Sequence, residues 1–166
     1  GMTAFVREVC LAAMRYFDGD ARRIQHFVKV LQYATLIAEG EALPADEEEV
    51  LQVAAVLHDI GIPNSEKKYG CADGRYQQIE GVPVARELLA GLGADDTLIE
   101  RVCHMIGLHH SYSKIGDDVL LRMLVEADML VNAYEEEVPK ESLAHFATNI
   151  VRTAKGHALF SVIYGV

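Results

Sequence analysis

The run Ala54-Ala55-Val56-Leu57-His58-Asp59-Ile60-Gly61 constrains this chain more than any other stretch. It closes an apolar segment in which Val50, Val53, Ala54 and Leu57 recur at helical spacing, so it reads as a buried helix. Gly61, followed by Pro63, reads as the stop. Two adjacent polar side chains, His58 and Asp59, therefore fall at the last turn of a core helix. Burying an imidazole and a carboxylate there is costly unless something pairs with them. A divalent metal offsets that cost, provided that other parts of the chain supply further ligands.

A chain of 166 residues is long enough to bury a sizeable core and is expected to form a single domain over 1–166. No apolar run reaches the length that spans a bilayer, and the start carries no signal-peptide pattern, so a cytoplasmic protein without a membrane partner is expected. Gly1 before Met2 reads as a cleavage remnant. Cys10, Cys71 and Cys103 are odd in number and far apart, which argues against a disulfide framework and fits a reducing compartment. The formal net charge of −10 disfavours nucleic acid and anionic membrane as partners. It does not exclude a small anionic substrate, because a metal and a few basic residues reverse the sign inside one pocket.

The periodicity predicts an all-α fold, a compact bundle of about seven helices. The first runs from Thr3 to Phe17. The second, from Ala21 to Ala38, is apolar on two sides and therefore central, with His26 on one of its stripes. The third follows Pro44, with Asp46 and Glu49 as a capping box, and ends in His58-Asp59. The acidic cluster Asp46–Glu49 suits the helix dipole and needs no functional role. Residues 63–78 read as the longest loop, facing substrate. Further helices are expected at 81–90, with Pro83 in its first turn, and at 95–109, 117–134 and 140–155. An exposed apolar face on the first or last helix leaves room for a homodimer.

Asp128 lies in the apolar run Leu120–Val131, and its neighbours at helical spacing are Leu121, Leu124, Val125 and Val131. It points to the core, whereas Glu126 is expected on a solvated face. Alone, Asp128 reads as a buried Asp paired with an Arg or capping a backbone group, and His26 as a satisfied core histidine. Together with His58 and Asp59 they form two imidazoles and two carboxylates on three inward-facing helices. That mixed set suits a six-coordinate divalent ion with open positions for water, Mn, Fe, Co or Mg, better than a closed zinc site.

The order His … His-Asp … Asp on a helical chain of this size resembles the HD-domain metal-dependent phosphohydrolases. The matching segments are Arg23-Ile24-Gln25-His26, Ala55-Val56-Leu57-His58-Asp59-Ile60-Gly61 and Glu126-Ala127-Asp128-Met129-Leu130. The likeness spans about residues 21–135, with helices 3–17 and 140–158 as flanks. It implies that His26, His58, Asp59 and Asp128 bind one divalent ion, whose water attacks phosphorus in line. Asp59 is then the residue that orients or bridges to that water. Arg23, one turn before His26, either holds a phosphate bidentately or is an ordinary surface Arg. The second histidine group, His104, His109 and His110, either holds a second ion or lines the pocket as phosphate donors. As second ligands His110 ranks first, because its spacing from Asp128 resembles the one in dinuclear family members, then His109, then His104. His145 and His157 are expected to be structural.

The chain also departs from the family. Ile62 stands where members that cleave cyclic dinucleotides carry Lys. Gln77-Gln78-Ile79-Glu80-Gly81 lacks the His that dinuclear members often place there. Gln77 or Glu80 could substitute, or Glu80 could act as general acid or contact substrate. Lys67, Lys68 and Arg75 read mainly as exposed charges. The function implied is hydrolysis of a small phosphorylated metabolite or nucleotide. The alternatives are a di-iron oxygenase of HD type and a non-catalytic metal or nucleotide sensor.

Overall fold

The computed structural model describes residues 1–166 and is all helical. The elements are α1 (Ala4–Phe17), α2 (Ala21–Gly40), α3 (Ala45–Leu57), α4 (Ile62–Tyr69), α5 (Gly74–Gly91), α6 (Asp96–Ile106), a 3-10 turn (Tyr112–Lys114), α7 (Val119–Glu135), α8 (Lys140–Asn149) and α9 (Ala154–Tyr164). No helix is long and apolar enough to cross a membrane. Helix α3 is the centre: every residue from Val50 to Leu57 is buried, and α1, α2, α6 and α7 pack against it. Helix α2 lies between α3 and α7, which explains its two apolar sides. A cluster of 41 buried apolar residues joins these elements, so His26, His58 and Asp128 emerge from one continuous core.

Nine helices form where seven were expected, and each difference has a local cause. The expected loop at 63–78 holds α4 and the first turn of α5. Pro63 fits the first turn of α4, because the N–H that proline lacks has no partner there. Gly70, at φ 73°, ends it in the left-handed conformation. The Asp73 carboxylate then caps α5 by accepting from Arg75 N at 3.1 Å. Pro83 consequently sits inside α5, not in its first turn, on an exposed face where water can reach the freed carbonyl.

The capping box expected before α3 does not form. Pro44 is the N-cap residue, without a side-chain hydrogen bond. Glu47 instead pairs with Arg101 of α6, and Glu49 accepts from the Thr3 hydroxyl at 2.7 Å. The acidic cluster thus ties the first turn of α3 to its neighbours.

The last expected helix is broken at residues 150–153 into α8 and α9. Glu126 explains the break and corrects the expectation of a solvated face, for it is fully buried. Its carboxylate accepts from Arg152 N at 2.8 Å, from Thr153 N at 3.2 Å and from the Thr153 hydroxyl at 2.5 Å. Thr153 Oγ1 in turn accepts from Gly156 N at the start of α9. The α8–α9 turn is folded onto this carboxylate.

Candidate metal centre

Three helices deliver the centre. His26 comes from the second turn of α2, His58 and Asp59 from the end of α3, and Asp128 from the middle of α7. His26 Nε2 lies 3.1 Å from His58 Nε2, 3.1 Å from Asp128 Oδ1 and 3.2 Å from Asp59 Oδ2. His58 Nε2 lies 3.2 Å from Asp128 Oδ1 and 3.4 Å from Asp59 Oδ2. Two nitrogens and two carboxylate oxygens therefore converge on one point.

The other ring nitrogens fix what each imidazole presents. His58 Nδ1 donates to Ala55 O at 2.6 Å, and His26 Nδ1 donates to Glu135 Oε1 at 2.6 Å. With Nδ1 carrying the proton, each Nε2 turns a lone pair inward. Two such nitrogens 3.1 Å apart repel unless a cation or a proton stands between them. The donor set therefore fits a divalent ion, which His26, His58, Asp59 and Asp128 would hold.

The electrostatics agree. Burial works against a charged His26, but hydrogen bonds that it donates to the Asp128 and Asp59 carboxylates overcome it and push its pKa up to about 9. Burial likewise opposes charge on His58, and the Asp59 and Asp128 carboxylates hold it well above the ordinary imidazole range. Burial alone would raise both carboxyls; His58 foremost, then the other imidazoles, hold Asp59 and Asp128 below the usual carboxylate range. The pocket is thus built for positive charge.

Asp59 faces a second group. Its Oδ1 lies 3.5 Å from His109 Nε2. His109 Nδ1 donates to Ile106 O at 2.8 Å, which leaves Nε2 as the one buried side-chain nitrogen or oxygen without a hydrogen-bond partner. The ring of His110 lies 4.0 Å from that of His109, and Asp59, His109 and His110 can share a cation. His110 Nε2, however, is engaged by Gln77 Oε1 at 2.9 Å. Burial first, and then His109, press the His110 pKa down to about 4.

Two expected site residues lie elsewhere. His104 is on the outer side of α6, where its Nε2 meets Asp118 at 3.3 Å, because α6 ends before the chain turns inward to His109. Glu80 is buried but committed to Lys68 at 2.9 Å and to the Tyr69 hydroxyl at 3.2 Å, and it does not line the pocket. His145 and His157 are exposed, away from the centre.

A cavity of about 290 Å³ opens over His26, Asp59 and Asp128. Arg22 and Arg23, in the first turn of α2, form one wall; Asn132, Glu135 and Glu136, at the end of α7, form the other. The salt bridges of basic side chains use Lys29, Lys68, Arg75, Arg86 and Arg101, so both pocket guanidiniums are left without a carboxylate. Tyr112 lines the same space, its hydroxyl kept protonated by burial and by Asp128 and Glu136, with a pKa of about 12. Sequence reasoning missed Arg22, Asn132 and Glu135. A signal was there: Asn132 and Glu135 follow Asp128 by four and seven residues, on one helical face.

An all-helical core that gathers histidines and aspartates from three helices around a cation-ready point defines a class of metal-binding helical proteins. Comparison with known proteins narrows it. The HD domain family model matches residues 23–145. The chain therefore belongs to the HD domain family, the superfamily of metal-dependent phosphohydrolases that its motif order resembles. The fold is similar to the crystal structure of a predicted HD superfamily hydrolase from an uncultured Thermotogales bacterium, with a TM-score of 0.69 and 22% identity over 96% of this chain and 84% of that one. A search of curated proteins found no match.

Proposed function

We propose that the protein is a metal-dependent phosphohydrolase acting on a small phosphomonoester, a metabolite or a nucleotide. The observation that carries this reading is the pairing of the His26–His58–Asp59–Asp128 cluster with two uncommitted guanidiniums in one cavity. A divalent ion held by those four residues would supply positive charge against phosphate oxygens and lower the pKa of water. Arg22 and Arg23 bind the remaining phosphate oxygens, helped by the N-terminal dipole of α2. Tyr112, which keeps its proton, donates a hydrogen bond to the phosphate. Asp59 Oδ1 is turned away from His26 and His58 and accepts a proton of the attacking water, orienting it toward phosphorus. Asn132 and Glu136 face the leaving group.

The Asp59–His109–His110 group favours a second reading, in which two ions bind and a di-iron centre activates oxygen. The Gln77 contact to His110 weighs against it. A panel of small phosphomonoesters, assayed before chelation, after chelation and after adding back Mn²⁺, tests the proposal. Phosphate release that is lost and then restored is expected. Failure of the metal-loaded protein to release phosphate from any ester, with oxygen uptake by an iron-loaded sample, selects the alternative.

A further inference from the structure

The three inward imidazoles are not held in the same way. His58 and His109 donate Nδ1–H to main-chain carbonyls three residues back, Ala55 O and Ile106 O. Both stand at a helix end, where such carbonyls are free. His26 stands inside α2, and the carbonyls one turn before it belong to the helix's own hydrogen bonds. Its orienting partner therefore has to come from another helix.

That partner is Glu135, in the last turn of α7, at 2.6 Å from His26 Nδ1. Its other oxygen, Oε2, accepts from Lys29 Nζ at 2.6 Å. Lys29 is one turn beyond His26 on α2 and half-exposed. The two contacts divide the carboxylate: one oxygen aims the imidazole, and the other is held by a cation that reaches the surface. A carboxylate acceptor also makes an imidazole a stronger donor than a carbonyl does.

We infer that Glu135, anchored by Lys29, is a positioning residue for the centre. It fixes His26 with Nε2 inward and strengthens that nitrogen as a donor, so the affinity for the ion is set partly by a residue at the end of α7. This inference rests on the metal reading of the four-residue cluster. A plain clamp between α2 and α7 is the competing role, and it predicts a different pattern of effects.

The test is calorimetric titration of Mn²⁺ into chelator-treated parent protein, Glu135→Gln, Glu135→Ala and Lys29→Met. It is run beside thermal unfolding of the metal-free forms and visible spectra of the Co²⁺-loaded forms. The dissociation constant for Mn²⁺ is expected to rise about 10- to 100-fold in Glu135→Ala. Glu135→Gln, which keeps a neutral acceptor, rises less, and Lys29→Met least. The Co²⁺ absorption band shifts in Glu135→Gln while its metal-free Tm stays near that of the parent. A Glu135→Gln protein with lowered Tm but parental affinity and spectrum overturns the inference and leaves only the clamp. A parent that takes up neither ion removes the metal reading itself. A parent that binds, with both Glu135 variants binding equally well, removes this inference alone.

Discussion

Arg23 and Asp59 show how far single residues could be read from the sequence. Asp59 was legible because His-Asp at the end of an apolar helix has no inexpensive burial without a partner. Arg23 was legible only as one of two options, since nothing in sequence tells a free guanidinium from a paired one. The structure leaves it without a carboxylate at the cavity wall. Arg23→Ala should therefore lower kcat/KM about 10- to 100-fold for a phosphomonoester, the range of one lost charged hydrogen-bond pair. Steady-state kinetics beside the metal-free Tm check it; an unchanged kcat/KM places Arg23 outside the site. His104 and Glu80 misled for a related reason. Both lie near site residues in sequence, but each side chain is directed by a partner that spacing does not reveal, Asp118 for one and Lys68 with Tyr69 for the other.

Among the elements, the long apolar helices were legible because burial imposes a 3.6-residue period on them. Helix α4 was not: it has eight residues, mostly polar, with only Ile62 and Ser65 buried. Its placement depends on a close approach that no periodicity encodes. A Cβ added at Gly61 would meet Gln77 O and Gly81 N, both at 2.4 Å, so the start of α4 lies directly against α5. Gly61→Ala must shift α5, and with it Gln77 and its contact to His110. A loss of about 1–3 kcal/mol in urea unfolding is expected; parental stability would contradict the close packing. The break between α8 and α9 was hidden because Glu126 looks like a surface charge beside Asp128. It is the acceptor for two backbone N–H groups and one hydroxyl. Glu126→Ala leaves these donors unpaired and should cost about 1–3 kcal/mol or more by the same measurement.

For the whole molecule, the acidic surface and the cation-ready centre belong to one arrangement. The net charge of −10 is spread over the chain, and at the centre Asp59, Asp128, Glu135 and Glu136 face Arg22, Arg23 and His26, so a divalent ion would be what turns the site favourable to an anion. The candidate ligands come from α2, α3 and α7, so an ion held there would tie together the three helices that form the middle of the core. Such an ion would bind the folded chain and not the unfolded one. Mn²⁺ at about 100 times its dissociation constant should add roughly 2.7 kcal/mol of stability. A higher Tm in the calorimeter, reversed by chelation, is expected; a Tm indifferent to Mn²⁺ contradicts it. The family was legible at this scale because four ligands in a fixed order demand one topology. The number of ions was not, because it turns on whether Gln77 occupies His110, a contact between α5 and the turn after α6.

The most direct measurement of the central claim is the anomalous difference map of a crystal soaked in Mn²⁺, collected for the parent and for Asp128→Asn. The parent is predicted to show a peak bounded by His26 Nε2, His58 Nε2, Asp59 and Asp128, which is lost or much weakened in the variant. A parent map without a peak there, or a peak untouched by the substitution, would contradict the account.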